Sequence, residues 1–334
     1  MWAGHGGYKI PIAVALKVDI RVPVGGTILE TAEFALKCEQ AGFDGVGIID
    51  HQHTGRDVFL AMALAADRTR RVTLYPAVTN PVTRHPMVLA STAQSLEEIA
   101  PHRVILCVGA GFMSTRHINR GSASVREMRE TVDQAKRLLS GEDVYPGITD
   151  GRLVRTSDPP TPVYVCATGP RMIELAGEIA DGAMLMVGVD PGMVADAMDH
   201  LDRGARRAGR AAEDIPVTLV CGGILGQDRE TALELARPFC WGQLHHPING
   251  PRLERAGLVW PSGISGPDDI PADVLSRVCG ATGLFGDHDT WAEGISAVGR
   301  LPGVRRLFIQ PNLTYEFPEG VLADYRDRIR PLLN

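Results

Sequence analysis

The segment "VTLYPAVTNPVTRHP" (Val72–Pro86) joins an apolar run to a rigid polar turn and the start of a helical pattern. Its first part, Val72–Val78, predicts a buried strand. Two prolines then fix the backbone of the turn, and Arg84 and His85 supply hydrogen-bond donors. A buried strand that leads almost directly into a helix is half of a βα unit. The segment therefore predicts a parallel α/β fold with polar side chains at the carboxyl end of this strand.

The same alternation runs along the whole chain. Helical patterns such as Thr27–Gly42, where Thr27 and Glu30 form a capping-box signature, separate short apolar segments. Eight such segments closing on themselves predict a (β/α)8 TIM barrel, and no G-x-G-x-x-G motif follows the first one, as an open nucleotide-binding sheet would usually require. The predicted strands, covered on both faces, are Pro11–Leu16, Gly45–Asp50, Val72–Val78, Arg103–Gly111, Pro162–Thr168, Gly182–Gly188, Pro216–Ile224 and Arg305–Pro311.

Two segments interrupt the alternation within a predicted single domain, residues 1–334. Residues 141–161 are predicted to contain a hairpin around the turn Thr149–Gly151. Residues 241–286 are longer and irregular. Long connections of this kind are typical of loops that cover a substrate, and a self-association surface would have the same pattern.

Composition and charge indicate which kinds of molecule the protein is expected to bind. The net charge of -6 is spread along the chain, which argues against nucleic-acid binding, since that usually needs a basic patch. No apolar run approaches the ~20 residues of a membrane span, and the N-terminus lacks the pattern of a secretory signal. The six cysteines lie far apart in apolar runs, as is typical of reduced core thiols. We therefore expect a cytoplasmic protein that acts on a small molecule.

Polar side chains follow the second predicted strand, in the sequence "IIDHQH". Imidazole titrates near neutrality, and a carboxylate can orient it or exchange a proton itself, so Asp50 and His51 are the predicted catalytic residues. The structural alternative is that Asp50 caps the next helix. Asp50, His51 and His53 also have the chemistry of metal ligands, but no later strand end offers an obvious further ligand, and we predict no metal site.

Two later strand ends could hold a planar, phosphorylated ligand. Gly109–Gly111 presents almost no side chains, which lets a flat ring approach the backbone, although glycine also serves ordinary turns. Thr168–Pro170 precedes a helix, and Arg171 lies next to it. Free amide groups and the helix dipole make this position an anion site, with simple helix capping as the alternative.

Taken together, "DGVGIIDHQH" (44–53), residues 72–111 and "ATGPRMIELAGEIADGAML" (167–185) resemble the bacterial luciferase-like superfamily, in particular its deazaflavin-dependent branch of methylenetetrahydromethanopterin reductases. Near the C-terminus, "GATGLFGDHDTWAEGI" (280–295) and "GVRRLFIQP" (303–311) extend the resemblance. The N-P-x-T-R-H-P turn is its most specific element. The resemblance implies a (β/α)8 barrel that binds coenzyme F420 or, alternatively, FMN.

It also implies a non-prolyl cis peptide around Val78 to Asn80 that backs the cofactor ring. Thr79 and Asn80 would then face the ring, while Thr83 and His85 stiffen the turn. The cofactor contacts that the resemblance implies are Val78, Thr79, Asn80, Thr83, Gly109, Ala110, Gly111, Thr168, Gly169 and Pro170.

The implied activity is hydride transfer between F420 and a small organic substrate with a C=C, C=N or C=O group. A reduced-FMN monooxygenase is one alternative, and a non-catalytic flavin-binding accessory protein is an alternative of another class. Homodimers are common in the resembling family. Phe112 departs from the reductase pattern, which often has an acidic residue there, and argues for a substrate other than a pterin. The predicted substrate contacts are His53, Phe112, His117, Trp241, His245 and Trp260.

Overall fold

The computed structural model describes residues 15–145, 147, 150–258, 262–312 and 315–333. In these residues strands alternate with helices along the chain. The strands are β1 (Lys17–Val22), β2 (Gly45–Ile48), β3 (Thr73–Pro76), β4 (Leu106–Val108), β5 (Val163–Ala167), β6 (Gly182–Leu185), β7 (Val217–Leu225), β8 (Gly283–Gly286) and β9 (Val304–Pro311). The α-helices are α1 (Ile28–Ala41), α2 (Val58–Arg68), α3 (Pro86–Ile99), α4 (Met113–Arg116), α5 (Val125–Leu139), α6 (Pro170–Ile179), α7 (Pro191–Arg207), α8 (Arg229–Leu235), α9 (Arg237–His245), α10 (Asn249–Arg255), α11 (Ala272–Thr282), α12 (His288–Gly299) and α13 (Glu319–Asp324).

The strands pair in parallel in the order β3-β2-β1-β9-β7-β6-β5-β4, and β8 pairs with the end of β7. The two ends of this order meet, because Leu74 pairs with Val104 and Thr79 pairs with Val108. At the second junction the amide of Gly109 donates to the carbonyl oxygen of Thr79 at 2.8 Å. The ring of strands is thereby closed, and the predicted (β/α)8 barrel is confirmed. That the whole chain forms one domain stays a prediction.

The first strand differs from the sequence-based expectation, whereas the later predicted strands all overlap observed ones. Of the predicted strand Pro11–Leu16, residues 11–14 lie outside the described residues, and the remaining two are not in a strand. The first described strand is β1, directly after them. Asp19 and Arg21 alternate with the apolar residues of β1, so the continuous apolar run expected of a strand covered on both faces is absent there.

The first predicted insertion, residues 141–161, contains no strand among its described residues, so the predicted hairpin is wrong there. Thr149, the first residue of the expected turn, lies outside the described residues. One hydrogen bond, from the amide of Val144 to the carbonyl of Gly151 at 3.0 Å, crosses the turn. Three prolines between residues 159 and 162 follow, and they lack the amide donors that strand pairing requires.

The second predicted insertion, residues 241–286, is largely helical rather than irregular. It contains the end of α9, all of α10 and α11, and the strand β8. Its helices share a small apolar core, with Leu253, Leu275 and Val278 fully or almost fully buried. Prolines and glycines divide the helices into short pieces, which hides their period in the sequence. The segment between α9 and α10 reaches the open end of the barrel.

The barrel interior contains a buried ion pair. Arg306 of β9 donates to both carboxylate oxygens of Asp19 of β1 at 2.7 Å, and the hydroxyl of Tyr75 donates to the same carboxylate at 2.8 Å. Asp19 and the neighbouring Phe308 have no exposed surface. Buried charges require this degree of hydrogen bonding, because burial removes their hydration. This layer is part of a packed core, as is usual for the fold.

Local signals in the sequence position the helices well. The amide of Glu30 donates to the Thr27 hydroxyl at 3.2 Å and the amide of Thr27 donates to the Glu30 carboxylate at 2.7 Å, which confirms the predicted capping box. Gly42 ends α1 with a φ of 96°, a left-handed conformation that glycine adopts easily.

All six cysteines are buried, as predicted for core thiols. Among the described helices, none has both the length and the apolar character needed to cross a bilayer.

Candidate active site

A cleft of about 700 Å³ opens where the strands end. This is the end of the barrel at which the fold carries its functional sites. Ten of the predicted site residues line it: Asp50, His51, Val78, Gly109, Ala110, Gly111, Phe112, Thr168, Gly169 and Pro170. The other described ones are not among the residues that line it: His53, Thr79, Asn80, Thr83, His117, Trp241 and His245. Trp260 lies outside the described residues.

The wall formed by β3 and β4 contains the predicted backbone irregularity. The Ala77–Val78 peptide is cis and non-prolyl, in agreement with the expectation for the end of this strand. Opposite it, a Cβ at Gly109 would lie 2.6 Å from Val78 Cγ2, so only glycine fits. Gly111 has a φ of 76°, which also favours glycine. Val78 and Gly109 therefore form a close-packed wall with few side chains.

The turn after β3 is stabilised from within. The Asn80 side-chain oxygen accepts hydrogen bonds from the amides of Val82 and Thr83 at 3.1 and 3.0 Å, and its amide group donates to Ser114 at 3.0 Å. Asn80 and Thr79 have no exposed surface. Their side chains do not face the cleft, which corrects that expectation. Asn80 holds the turn because its short side chain reaches the backbone two and three residues later. Whether the backbone here contacts a cofactor stays a prediction.

An ion-pair network supports the acidic residue of the site. One guanidinium nitrogen of Arg84 is 2.5 Å from the Asp50 carboxylate, and the other is 2.8 Å from Asp57. Gln52 donates to the second oxygen of Asp50 at 2.7 Å. The guanidinium also lies 5.0 Å from the centre of the Phe59 ring. Asp50 thus has a fixed orientation in the wall of the cleft.

Arg84 is not among the site residues predicted from the sequence, although the donor-rich turn that contains it was singled out there. Its partner Asp57 caps α2, accepting from the amides of Phe59 and Leu60 at 2.9 and 3.2 Å. A basic residue in the turn after β3 is the signal that could have identified it. The carboxylate that Arg84 contacts in the cleft wall, Asp50, follows a different strand, β2, and the order of residues in the sequence does not show that the two meet.

The protonation of Asp50 reflects two opposing effects. Burial raises the pKa of Asp50 above its ordinary value, while the charge of Arg84 and hydrogen bonds from Thr79 and Arg84 work in the opposite direction. Asp50 is 1% exposed, so burial is nearly complete. Arg84 is therefore the group that favours the ionised carboxylate.

His51 lies next to Asp50 but has a different environment. Burial, followed by the proximity of His53, His117 and Arg21, lowers its pKa to about 4. Its Nδ1 atom is buried and has no hydrogen-bond partner among the described residues. The imidazole is therefore neutral at pH 7 and can accept a proton, whereas a charged imidazole would not.

The part of the cleft wall that follows β5 carries positive charge. α6 begins at Pro170 after Gly169, and no side chain caps its first amides. Arg171 and Arg255 line the cleft there. The buried guanidinium of Arg252 donates to the carbonyl of Thr168, which fixes the strand end that leads into α6. An uncapped helix N-terminus beside two guanidinium groups is suited to a phosphate.

Residues of the second insertion complete the mouth. His246, Pro247 and Ile248 line the cleft between α9 and α10, and none of them is among the predicted contacts. The Phe112 ring lies 5.6 Å from that of His246. Trp241 and His245, which were predicted, lie one turn earlier on α9, where their rings pack at 4.1 Å. Neither Trp241 nor His245 lines the cleft, and their role as substrate contacts stays a prediction.

No group of three or more His, Cys, Asp or Glu side chains in the described part of the chain is arranged to hold a metal ion. The site is thus a cleft lined by the acid–imidazole pair Asp50–His51 and by the uncapped start of α6 with two arginines. A closed α/β barrel with such a mouth defines the class of (β/α)8 proteins that carry a ligand site at the carboxyl ends of their strands. The luciferase-like monooxygenase family model matches residues 11–305, and the chain belongs to this family.

Its similarity to individual proteins points to the deazaflavin-dependent branch. It is 31% identical over 219 residues to the 5,10-methylenetetrahydromethanopterin reductase of Methanolobus tindarius, covering 63% of this chain and 66% of that protein. It is 30% identical over 255 residues to an F420-dependent glucose-6-phosphate dehydrogenase of Microbacterium testaceum, covering 67% and 75%. The chain spans just under two thirds of the length of the reductases it matches, 66% and 61% in two of them.

Solved structures of F420-dependent proteins have a similar fold. The coenzyme F420-dependent tetrahydromethanopterin reductase from Methanopyrus kandleri superposes with a TM-score of 0.77 at 22% identity, covering 96% of this chain and 100% of that one. An F420-dependent secondary alcohol dehydrogenase gives 0.75 at 18% identity, with coverages of 96% and 99%. At these identities the likeness concerns the fold.

Proposed function

We propose that this chain is a coenzyme F420-dependent oxidoreductase that transfers hydride between the deazaflavin and a small organic substrate with a C=C, C=N or C=O group. One observation carries the proposal. A single cleft combines the flat wall at Gly109, the uncapped helix end at Gly169 and the pair Asp50–His51. The F420-dependent relatives support this choice of cofactor over FMN.

The described residues fit such a cofactor. The cleft volume of about 700 Å³ is within the usual range for ligand sites, roughly 300–1,000 Å³. Val78 and Gly109–Gly111 would contact the flat ring, and the first amides of α6 with Arg171 and Arg255 would hold a phosphate. When bound, the deazaflavin supplies the hydride chemistry, and the protein orients the reactants and excludes water.

The proton that accompanies hydride transfer needs a group of the protein. Asp50 is buried and held by Arg84 and Gln52, so it is better suited to position neighbours and stabilise positive charge. His51 lines the same cleft with a neutral imidazole, which can accept a proton from a substrate during oxidation. We therefore assign proton exchange to His51 and the orienting, ionised role to Asp50.

Gly169→Ala tests where the cofactor phosphate binds. A Cβ at this position would lie 3.7 Å from Ile248 Cδ1, an ordinary contact, so the variant should fold normally. The added methyl group would nevertheless stand where a phosphate approaches the backbone of α6. We expect the Kd for F420, measured from the quenching of its fluorescence, to rise at least tenfold.

Gly320→Ala is the matched control, since a Cβ there meets nothing within 4 Å and α13 is not part of the cleft. It should bind F420 as the wild type does. Equal F420 affinity in both variants would contradict the assignment of the phosphate site.

A parallel titration with FMN, together with oxygen consumption, tests the alternative cofactor. Tight FMN binding with oxygen uptake and no F420 binding would favour a monooxygenase. A homodimer stays a prediction, which sedimentation checks.

A further inference from the structure

A group of three histidines lies at the β2 side of the cleft. The rings of His53 and His117 stack at 3.9 Å, and the ring of His51 lies 5.6 Å from that of His53. The hydroxyl of Tyr315 is 3.1 Å from His53 Nε2. Only His51 lines the cleft, and the other two extend the group outwards from it. His53 and His117 have no part in the proton exchange proposed above.

The barrel brings these residues together from distant segments. His53 lies in a short 3-10 turn after β2, and His117 follows α4, which begins soon after β4. β2 and β4 flank β3 in the closed ring, so the stacked pair joins two loops across the turn that follows β3. The hydrogen bond between Asn80 and Ser114 ties α4 to that turn. The buried Asn80–Ser114 hydrogen bond therefore fixes the loop that carries His117, while the side chains of His53 and His117 are exposed beside the cleft.

The surroundings of this group are basic. Besides burial, the groups that act on the protonation of His51 are His53, His117 and Arg21, all of them bases. The carboxylate of the adjacent residue, Asp50, is engaged by Arg84 and Gln52. The buried Nδ1 of His51 has no hydrogen-bond partner in the described part of the chain. Several nitrogen groups able to donate thus converge beside the cleft, and no acid is among those that act on His51.

We propose that His51, His53 and His117 bind an anionic group of the substrate, a carboxylate or a phosphate ester. This inference rests on the proposed function, because it assumes that the substrate occupies the cleft beside the cofactor. Hydrogen bonds to an anion are stronger than those between neutral groups, so such a group would orient one end of the substrate. The first amides of α6, which the proposed function assigns to the cofactor phosphate, form a separate part of the cleft wall.

The test uses full-length protein labelled with 13C-histidine and loaded with F420. Inorganic phosphate, sodium acetate and sodium chloride are titrated at equal ionic strength, and the imidazole signals are followed by NMR. We expect saturable shifts in the signals of His51, His53 and His117. In a variant with both His53→Asn and His117→Asn, the affinity should fall at least tenfold, with F420 affinity unchanged. His102→Asn is the control, since His102 is exposed and its φ of 60° suits asparagine.

Each outcome has a defined meaning. Saturation by phosphate alone supports a phosphate ester, and saturation by acetate supports a carboxylate. Equal shifts with chloride, shifts confined to other histidines, or unchanged affinity in the double variant would overturn the proposal. Failure of F420 to bind would refute the proposed cofactor instead. The titration repeated without F420 would still show whether these three histidines bind an anion.

Discussion

Replacing Arg84 by methionine tests the support of the acidic residue directly. The change keeps an apolar stem but removes the guanidinium, which is 2.5 Å from the Asp50 carboxylate. Asp50 is 1% exposed, so water does not replace the lost partner. Loss of one member of a buried pair typically costs about 3–5 kcal/mol, and the half-exposed contact with Asp57 adds about 0–1 kcal/mol. We expect the free energy of unfolding, from urea denaturation at pH 7, to fall by about 3–6 kcal/mol.

The loss of stability in Arg84→Met should depend on pH in a defined direction. Burial raises the pKa of Asp50 and Arg84 opposes this effect, so the variant should have an even higher pKa at this position in the folded state. A folded state that binds a proton more tightly than the unfolded chain loses stability as the pH rises. The difference in stability between Arg84→Met and wild type should therefore be largest at neutral pH and shrink as the pH falls and the carboxylate of Asp50 takes up a proton.

Two further variants make this reasoning refutable. Adding Asp50→Asn to Arg84→Met removes both charges and should restore a large part of the lost stability. Asp57→Asn keeps the side-chain oxygen that caps α2 and removes only the outer, half-exposed charge, so it should cost about 0–1 kcal/mol. If Arg84→Met costs less than about 1 kcal/mol, or if Asp50→Asn restores nothing, the buried ion pair does not have the importance assigned to it.

Three other predictions concern the core and the chemistry. Arg306→Met should lower the free energy of unfolding by about 3–5 kcal/mol, since it leaves the buried carboxylate of Asp19 without its charge partner; a loss below about 1 kcal/mol in urea denaturation would contradict this. Asp50→Ala should lower turnover ~10²-fold or more with little change in F420 affinity, and unchanged steady-state turnover would remove Asp50 from the mechanism. Because the pKa of His51 is about 4, substrate oxidation should stay constant from neutral pH downwards and decline only near that value. His51→Gln should abolish this decline in the pH profile of kcat/KM, and a decline near pH 6.5 in the wild type would refute the assignment.

The local parts of the structure follow from local patterns. The capping box at Thr27, the left-handed Gly42 and most of the buried strands from β2 onwards are visible as short-range periods and residue types. Two strands are exceptions: β8 lies in the segment predicted as irregular, and β1 contains a buried Asp19 that is compensated by Arg306, 287 residues away. The local sequence of β1 alternates polar and apolar residues and gives no sign that Asp19 is buried. The helices in residues 241–286 appear irregular in the sequence because prolines and glycines divide them into pieces too short to show a helical period.

The candidate site divides in the same way. The strand ends at Asp50, Gly109 and Thr168 could be predicted because the barrel places every such end at one mouth. The direction of the Asn80 side chain could not, because a buried amide bonds whichever backbone groups lie within reach. His246 was missed because the insertion was predicted to be irregular. The helices α9 and α10, which place residues 246–248 in the cleft wall, were not recognised in the sequence.

The sequence by itself determined the alternation of strands and helices, and therefore the fold and the end of it that carries the site. Tertiary structure alone decided which polar groups meet there: Arg84 with Asp50, 34 residues apart, and His53 with His117. The reason is that hydrophobic periods and helix caps are fixed by neighbours in the chain. Ion pairs and ring stacks depend on closure of the barrel, which brings distant strand ends within a few ångströms.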